Sequence, residues 1–169
     1  RLQIATHFGG ITVSTLAEAD AFARAGFNDV TYAVPLAPGK AKRAFKLSQW
    51  VPKLRVLVDH EHAIDALLDA ACGSSKGVSV LIKIDCGYGR AGLAPDDPAL
   101  VELAMRIHNA PQLHFEGVLA HGGHAYNCVG AEAIKRVARD ERTETVRAAE
   151  ILRSMGLPVD VVSVGSTPT

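Results

Sequence analysis

Val78-Ser79-Val80-Leu81-Ile82-Lys83-Ile84-Asp85 runs directly into Cys86-Gly87-Tyr88-Gly89-Arg90-Ala91-Gly92-Leu93, and this junction decides how the chain folds. The first eight residues are nearly continuously apolar, the pattern of a parallel strand covered on both faces rather than of a half-solvated one. The next eight hold three glycines within six residues, so the backbone turns sharply off a buried strand end and leaves Arg90 as a permanently charged group able to face a shared pocket.

The same strand, loop and helix alternation extends both ways from this junction. Toward the N-terminus the pattern predicts a helix over 61–71 carrying Ile64, Leu67 and Leu68, a strand over 54–59, a helix over 40–51 and a strand over 29–35. Before these, Thr15 is an N-cap with Glu18 in the capping-box position, its helix runs to Ala25 and stops at Gly26, and a short strand covers 11–14. Toward the C-terminus the pattern predicts a helix over 97–109, a strand over 115–121, a long helix over 131–155 and a strand over 159–164.

Six strands at the spacing of right-handed βαβ units fit either a doubly wound sheet or a (β/α)8 barrel with two strands outside these residues. Polar and glycine-rich residues follow strand after strand, where barrels place their sites, so the expected class is α/β, a partial (β/α)8 TIM barrel of about strands 2 to 7.

Eighteen Lys and Arg balance eighteen Asp and Glu, and no basic block is long enough to act as an electrostatic footprint, which argues against nucleic acid or an anionic membrane as a partner. Apolar runs fall far short of the roughly 20 residues that span a bilayer. Cys72, Cys86 and Cys128 are odd in number and widely spaced, as in a reducing compartment, and the expected location is cytoplasmic.

Three segments carry residues suited to chemistry. Arg90 either faces a pocket or anchors its loop by pairing with Asp85 or a helix terminus. His121-Gly122-Gly123-His124-Ala125-Tyr126 follows another strand end and puts two imidazoles and a phenol in one loop. Such groups suit proton transfer near neutral pH, and without a third ligand close by they are not expected to hold a metal. Gly165-Ser166-Thr167 closes the last strand with the composition of a phosphate cradle, which is also ordinary turn chemistry.

Taken in order, Gly10 to Ala19, Asp85 to Leu93, His121 to Tyr126 and Val164 to Thr167 resemble the alanine-racemase-type barrel of fold-type III pyridoxal-phosphate enzymes, in the branch of D-threonine aldolase and D-serine dehydratase. The resemblance implies that residues 1–169 are the central part of a pyridoxal 5'-phosphate-binding barrel. Arg90 would face the pyridine nitrogen, and a guanidinium keeps that nitrogen unprotonated and the ring a weaker electron sink. Gly165, Ser166 and Thr167 would hold the phosphate, Ser14 or Thr15 would lie near the ring edge or phosphate, and His121, His124 and Tyr126 would line the substrate side.

In the family the Schiff-base lysine precedes a segment like Arg1-Leu2-Gln3, and a C-terminal β-domain carries the divalent-metal ligands. Both are expected to lie outside this chain, leaving it inactive alone. Lys83 occupies a commonplace strand position in that pattern and is not expected to replace the anchor. The implied activity of the parent protein is a lyase reaction on small D-β-hydroxy amino acids, in a homodimer. The alternatives are an amino-acid racemase of the same fold, a non-catalytic pyridoxal-phosphate homeostasis protein, or an unrelated phosphate-binding barrel.

Overall fold

A computed structural model describes residues 9–169; the stretch Arg1-Leu2-Gln3 lies outside the described residues. The chain divides into two compact units, one comprising the residues up to Val80 with Ala110–His114, the other Leu81–Asn109 with Phe115–Thr169.

The first unit opens with β1 (Ile11–Val13) and α1 (Leu16–Arg24). Thr15 caps α1: its hydroxyl accepts from Glu18 N–H at 3.1 Å, while the Glu18 carboxylate accepts from the amides of Ser14 and Thr15, each at 2.9 Å. These bonds satisfy the orphan donors that every helix start exposes. Next come β2 (Asp29–Pro35), a 3-10 turn at Pro38–Lys40, α2 (Ala41–Ser48), β3 (Lys53–Val58) and α3 (Glu61–Ala71). The first three strands are parallel, with Val13 opposite Tyr32 and Tyr32 opposite Val56. The β2–β3 ladder shifts register between Tyr32 and Pro35, where proline has no N–H to contribute. Val30, Tyr32, Val56, Leu57, Ile64 and Leu67 are fully buried in this unit.

β4 (Val78–Ile84) begins in the first unit and ends in the second, followed by α4 (Pro98–His108), β5 (Leu113–Ala120), a 3-10 turn at Gly123–Asn127, α5 (Ala131–Ser154) and β6 (Val161–Ser163). Asp97 caps α4 by accepting from Ala99 N–H at 2.9 Å, and Pro98 takes the first helical position, where a missing N–H costs nothing.

β5 and β6 pair in parallel with Gly117 opposite Val161. Gly117 sits at φ +145°, and a β-carbon there would stand 2.0 Å from the Val161 carbonyl oxygen, so this pairing admits glycine alone. The sheet order follows the chain, β1-β2-β3-β4-β5-β6. A doubly wound sheet reverses strand order at its switch point, and this sheet does not, which leaves the partial (β/α)8 barrel. No helix among the described residues is long and apolar enough to cross a membrane.

Candidate active site

The loop after β4 is built on the Asp85 carboxylate, which accepts from the amides of Gly87 (3.1 Å), Tyr88 (2.9 Å) and Gly89 (3.0 Å). Gly87, Gly89 and Gly92 all have positive φ, as the sharp turn requires. Leu93 closes the loop against the strand end: its amide donates to Lys83 O at 3.0 Å and its carbonyl accepts from Asp85 N–H at 2.9 Å. With Asp85 engaged by the backbone, the exposed Arg90 guanidinium lies 5.0 Å over the Tyr88 ring, and Tyr88 in turn stacks on His124 at 5.6 Å between ring centres. A β-carbon on Gly123 would come within 2.6 Å of Tyr88, so this second glycine of the His-Gly-Gly-His run admits the ring.

The loops after β5 and β6 are joined by hydrogen bonds between the residues the sequence singles out. His121 Nδ1 lies 2.9 Å from the Gly165 carbonyl oxygen, and Thr167 N–H donates to the Tyr126 phenol oxygen at 3.3 Å. A carbonyl can only accept, so the proton of a neutral His121 sits on Nδ1 and the lone pair on Nε2. The hydrogen bonds from Thr167 hold the Tyr126 phenol below its ordinary pKa. His124 Nδ1 is buried and has no hydrogen-bond partner among the described residues.

Two more residues belong to this set: Glu141, which sequence reasoning passed over, and Lys83, which it weighed only as a substitute anchor. Glu141, on the buried face of α5, accepts from Gly122 N–H on the β5 loop and from Gly165 N–H (3.1 Å) and the Thr169 hydroxyl (3.1 Å) on the β6 side. Lys83 is buried in β4, and burial pushes its amine below the ordinary lysine pKa against the attraction of Cys86, Glu141 and Asp85. Cys86 is buried beside them, and desolvation, followed by the charge of Glu141, pushes its thiol up.

The structure therefore brings together Arg90, His121, His124, Tyr126, Gly165, Ser166 and Thr167 within the second unit. Ser14 and Thr15 belong to the first, where the Thr15 hydroxyl caps α1. Of the amides expected to cradle a phosphate, Gly165 N–H is turned to Glu141, Ser166 N–H donates to the Thr169 hydroxyl at 3.0 Å, and Thr167 N–H meets Tyr126. The three-residue group of potential metal ligands among the described residues is not His121 with His124 but the exposed His60, Glu61 and His62, at the start of α3 in the first unit.

Residues 2–169 match the family model described as alanine racemase, N-terminal domain. The chain is 39% identical to a D-serine dehydratase of Dictyostelium discoideum, over 94% of this chain and 42% of that protein. The structure of D-threo-3-hydroxyaspartate dehydratase from Delftia sp. HT23 superposes with a TM-score of 0.91 at 39% identity, over 99% of this chain and 44% of that one. A D-threonine aldolase from Filomicrobium marinum superposes at 0.83 with 26% identity, over 96% and 44% of the two chains. The chain thus spans less than half the length of these relatives.

Proposed function

The chain belongs to the alanine racemase N-terminal-domain family, and from that premise we propose that it forms the cofactor-binding part of a pyridoxal-phosphate-dependent lyase acting on D-β-hydroxy amino acids. The observation that carries this reading is the hydrogen-bonded union of the loops after β5 and β6, which sets imidazole and phenol groups beside a cradle of main-chain amides.

The residues present fit a phosphate-bearing, ring-containing cofactor. The Ser166 and Thr167 amides donate to hydroxyl oxygens, places that phosphate oxygens can take over. The buried, unpartnered Nδ1 of His124 has a hydrogen bond to give or receive, and Arg90 supplies a fixed positive charge at the loop after β4. When bound, pyridoxal phosphate supplies the electron sink that labilises bonds at the amino acid's α-carbon. His121 Nε2 is the lone pair able to take up a proton, and the Tyr126 hydroxyl is a group able to give one to a departing hydroxyl. The two dehydratases named above share 39% identity with this chain against 26% for the D-threonine aldolase, so loss of the hydroxyl is the first outcome to look for.

The test takes the full-length protein with pyridoxal phosphate and a divalent metal, presents a panel of D-β-hydroxy amino acids, then reduces with borohydride and maps the labelled peptide. Dehydration yields a keto acid and ammonia, whereas retro-aldol cleavage yields glycine and an aldehyde. The cofactor is expected on a lysine outside this chain, with Lys83 as the internal control. Unchanged substrates, or inversion at the α-carbon alone, would overturn the lyase reading, and a label on Lys83 would overturn the assignment of the anchor.

A further inference from the structure

Glu141 lies in the buried row Val137, Glu141, Thr145, Ala148 and Leu152 of α5, at 2% exposure. An apolar side chain at such a position commonly stabilises a fold at least as well as a buried charge does, so packing does not account for a carboxylate there. Its three donors divide between two loops: Gly122 N–H follows His121, while Gly165 N–H precedes Ser166 and the Thr169 hydroxyl also hydrogen-bonds Ser166. The fit at Gly122 is close, since a β-carbon there would come within 3.1 Å of the carboxylate. One carboxylate therefore fixes the backbone beside the imidazole that accepts a proton and beside the amides that cradle an anion.

We infer that Glu141 is a positioning residue that couples the two loops, so that order imposed on the Gly165–Thr169 segment is transmitted through its carboxylate to the loop bearing His121, His124 and Tyr126. The identity of the anion that imposes this order rests on the function proposed above; the coupling itself does not. Methionine at this position keeps the length but leaves the Gly122 and Gly165 amides and the Thr169 hydroxyl without the oxygens they donate to. Valine at position 169 removes one donor and leaves the carboxylate in place.

The experiment is amide exchange by mass spectrometry on the full-length protein, first without cofactor and then with pyridoxal phosphate. Without cofactor, Glu141→Met is expected to speed exchange over 121–127 and over 165–169 together, by about ten- to a hundredfold, the scale of hydrogen bonds to a charged group. Exchange in α4 (Pro98–His108) stays as it was. Thr169→Val is expected to speed exchange over 121–127 as well, by a smaller factor, and to add nothing further in the Glu141→Met background. With pyridoxal phosphate, the native protein gains protection over 121–127 and Glu141→Met at equal occupancy does not. The coupling is overturned if Thr169→Val leaves 121–127 unchanged, if the two substitutions act independently, or if α4 opens by the same factor as the loops. If no protein binds pyridoxal phosphate, the cofactor reading falls, and the cofactor-free exchange still decides for or against Glu141.

Discussion

The two compact units of this chain use their polar side chains in different ways. In the first, they cap a helix and tie neighbouring elements together: Thr15 and Glu18 close the start of α1, buried Arg55 pairs with Asp29 across neighbouring strands, and Lys76 donates to the Gln49 carbonyl at 2.6 Å. In the second, buried polar groups reach between loops, with Glu141 bridging two of them and Lys83 held without solvent below the β4 loop. The first pattern is what stability requires. The second exceeds it, and that excess is why the proposed chemistry is placed there.

The substitution expected to cost most lies in the second unit's own scaffold. Gly117→Ala forces a β-carbon into the Val161 carbonyl and a left-handed φ onto alanine, so the β5–β6 pairing that carries the Gly165 loop must part, at about 3 kcal/mol or more. Gly39→Ala in the first unit meets nothing within 4 Å and should change stability by about 0.5 kcal/mol at most. Urea unfolding of both variants measures the contrast. Equal losses would mean that the β5–β6 pairing is no more constrained than a surface turn.

Lys83→Met comes next, with the opposite sign. The folded chain depresses the Lys83 pKa, so the unfolded chain binds more protons between the lowered value and the ordinary one near 10.4. Native stability therefore carries its full penalty below the lowered pKa and recovers as pH rises through that window. Methionine removes the penalty while nearly keeping the volume, so the variant should be more stable at pH 7 by about 1 kcal/mol, with the gap closing toward alkaline pH. Denaturation midpoints across pH 7 to 10 check this. A less stable variant at pH 7 would show that Lys83 is held by a compensating partner, and the second unit would then resemble the first.

Much of the first unit was legible in the sequence because its signals are local. The strand at Asp29–Pro35 and the helix at Glu61–Ala71 fall on the expected bounds, and the Thr15 and Glu18 cap forms as its spacing predicts. Boundaries slipped where local hydrogen bonds intervene: a 3-10 turn at Pro38–Lys40 delays α2, and the Ser48 hydroxyl bonds back to Phe45 O where that helix stops. In the second unit His121 and Tyr126 stand out as side chains suited to proton transfer, whereas Gly165 and Thr167 are ordinary turn residues singled out by their place after the last strand. The 3-10 turn at Gly123–Asn127 was not legible, since it has no apolar period. Nor was Glu141, which sits among Arg139, Asp140 and Arg142 and reads as one more solvated charge. Its only trace is the four-residue spacing from Val137 to Glu141 to Thr145, the period of the buried stripe, and only packing reveals that a carboxylate occupies it.

Thr15 offers the finest test of the contrast, because the family resemblance and the observed geometry assign it different work. The resemblance puts Ser14 or Thr15 near the cofactor, while the structure shows the Thr15 hydroxyl accepting from Glu18 N–H. Thr15→Ala removes that acceptor and should cost about 1 kcal/mol, the usual effect of losing an N-cap. Thr15→Ser keeps the acceptor and should cost only a few tenths of that, since serine and threonine cap comparably. If capping is its whole role, both variants bind pyridoxal phosphate in the full-length protein with native affinity, and melting alone separates them. A Thr15→Ala protein that loses affinity, with Thr15→Ser restoring it, would give one hydroxyl both tasks: its oxygen accepting from the helix and its proton donated to the ligand. The site would then draw on the first unit, and the division between a structural and a chemical unit would give way at this one residue.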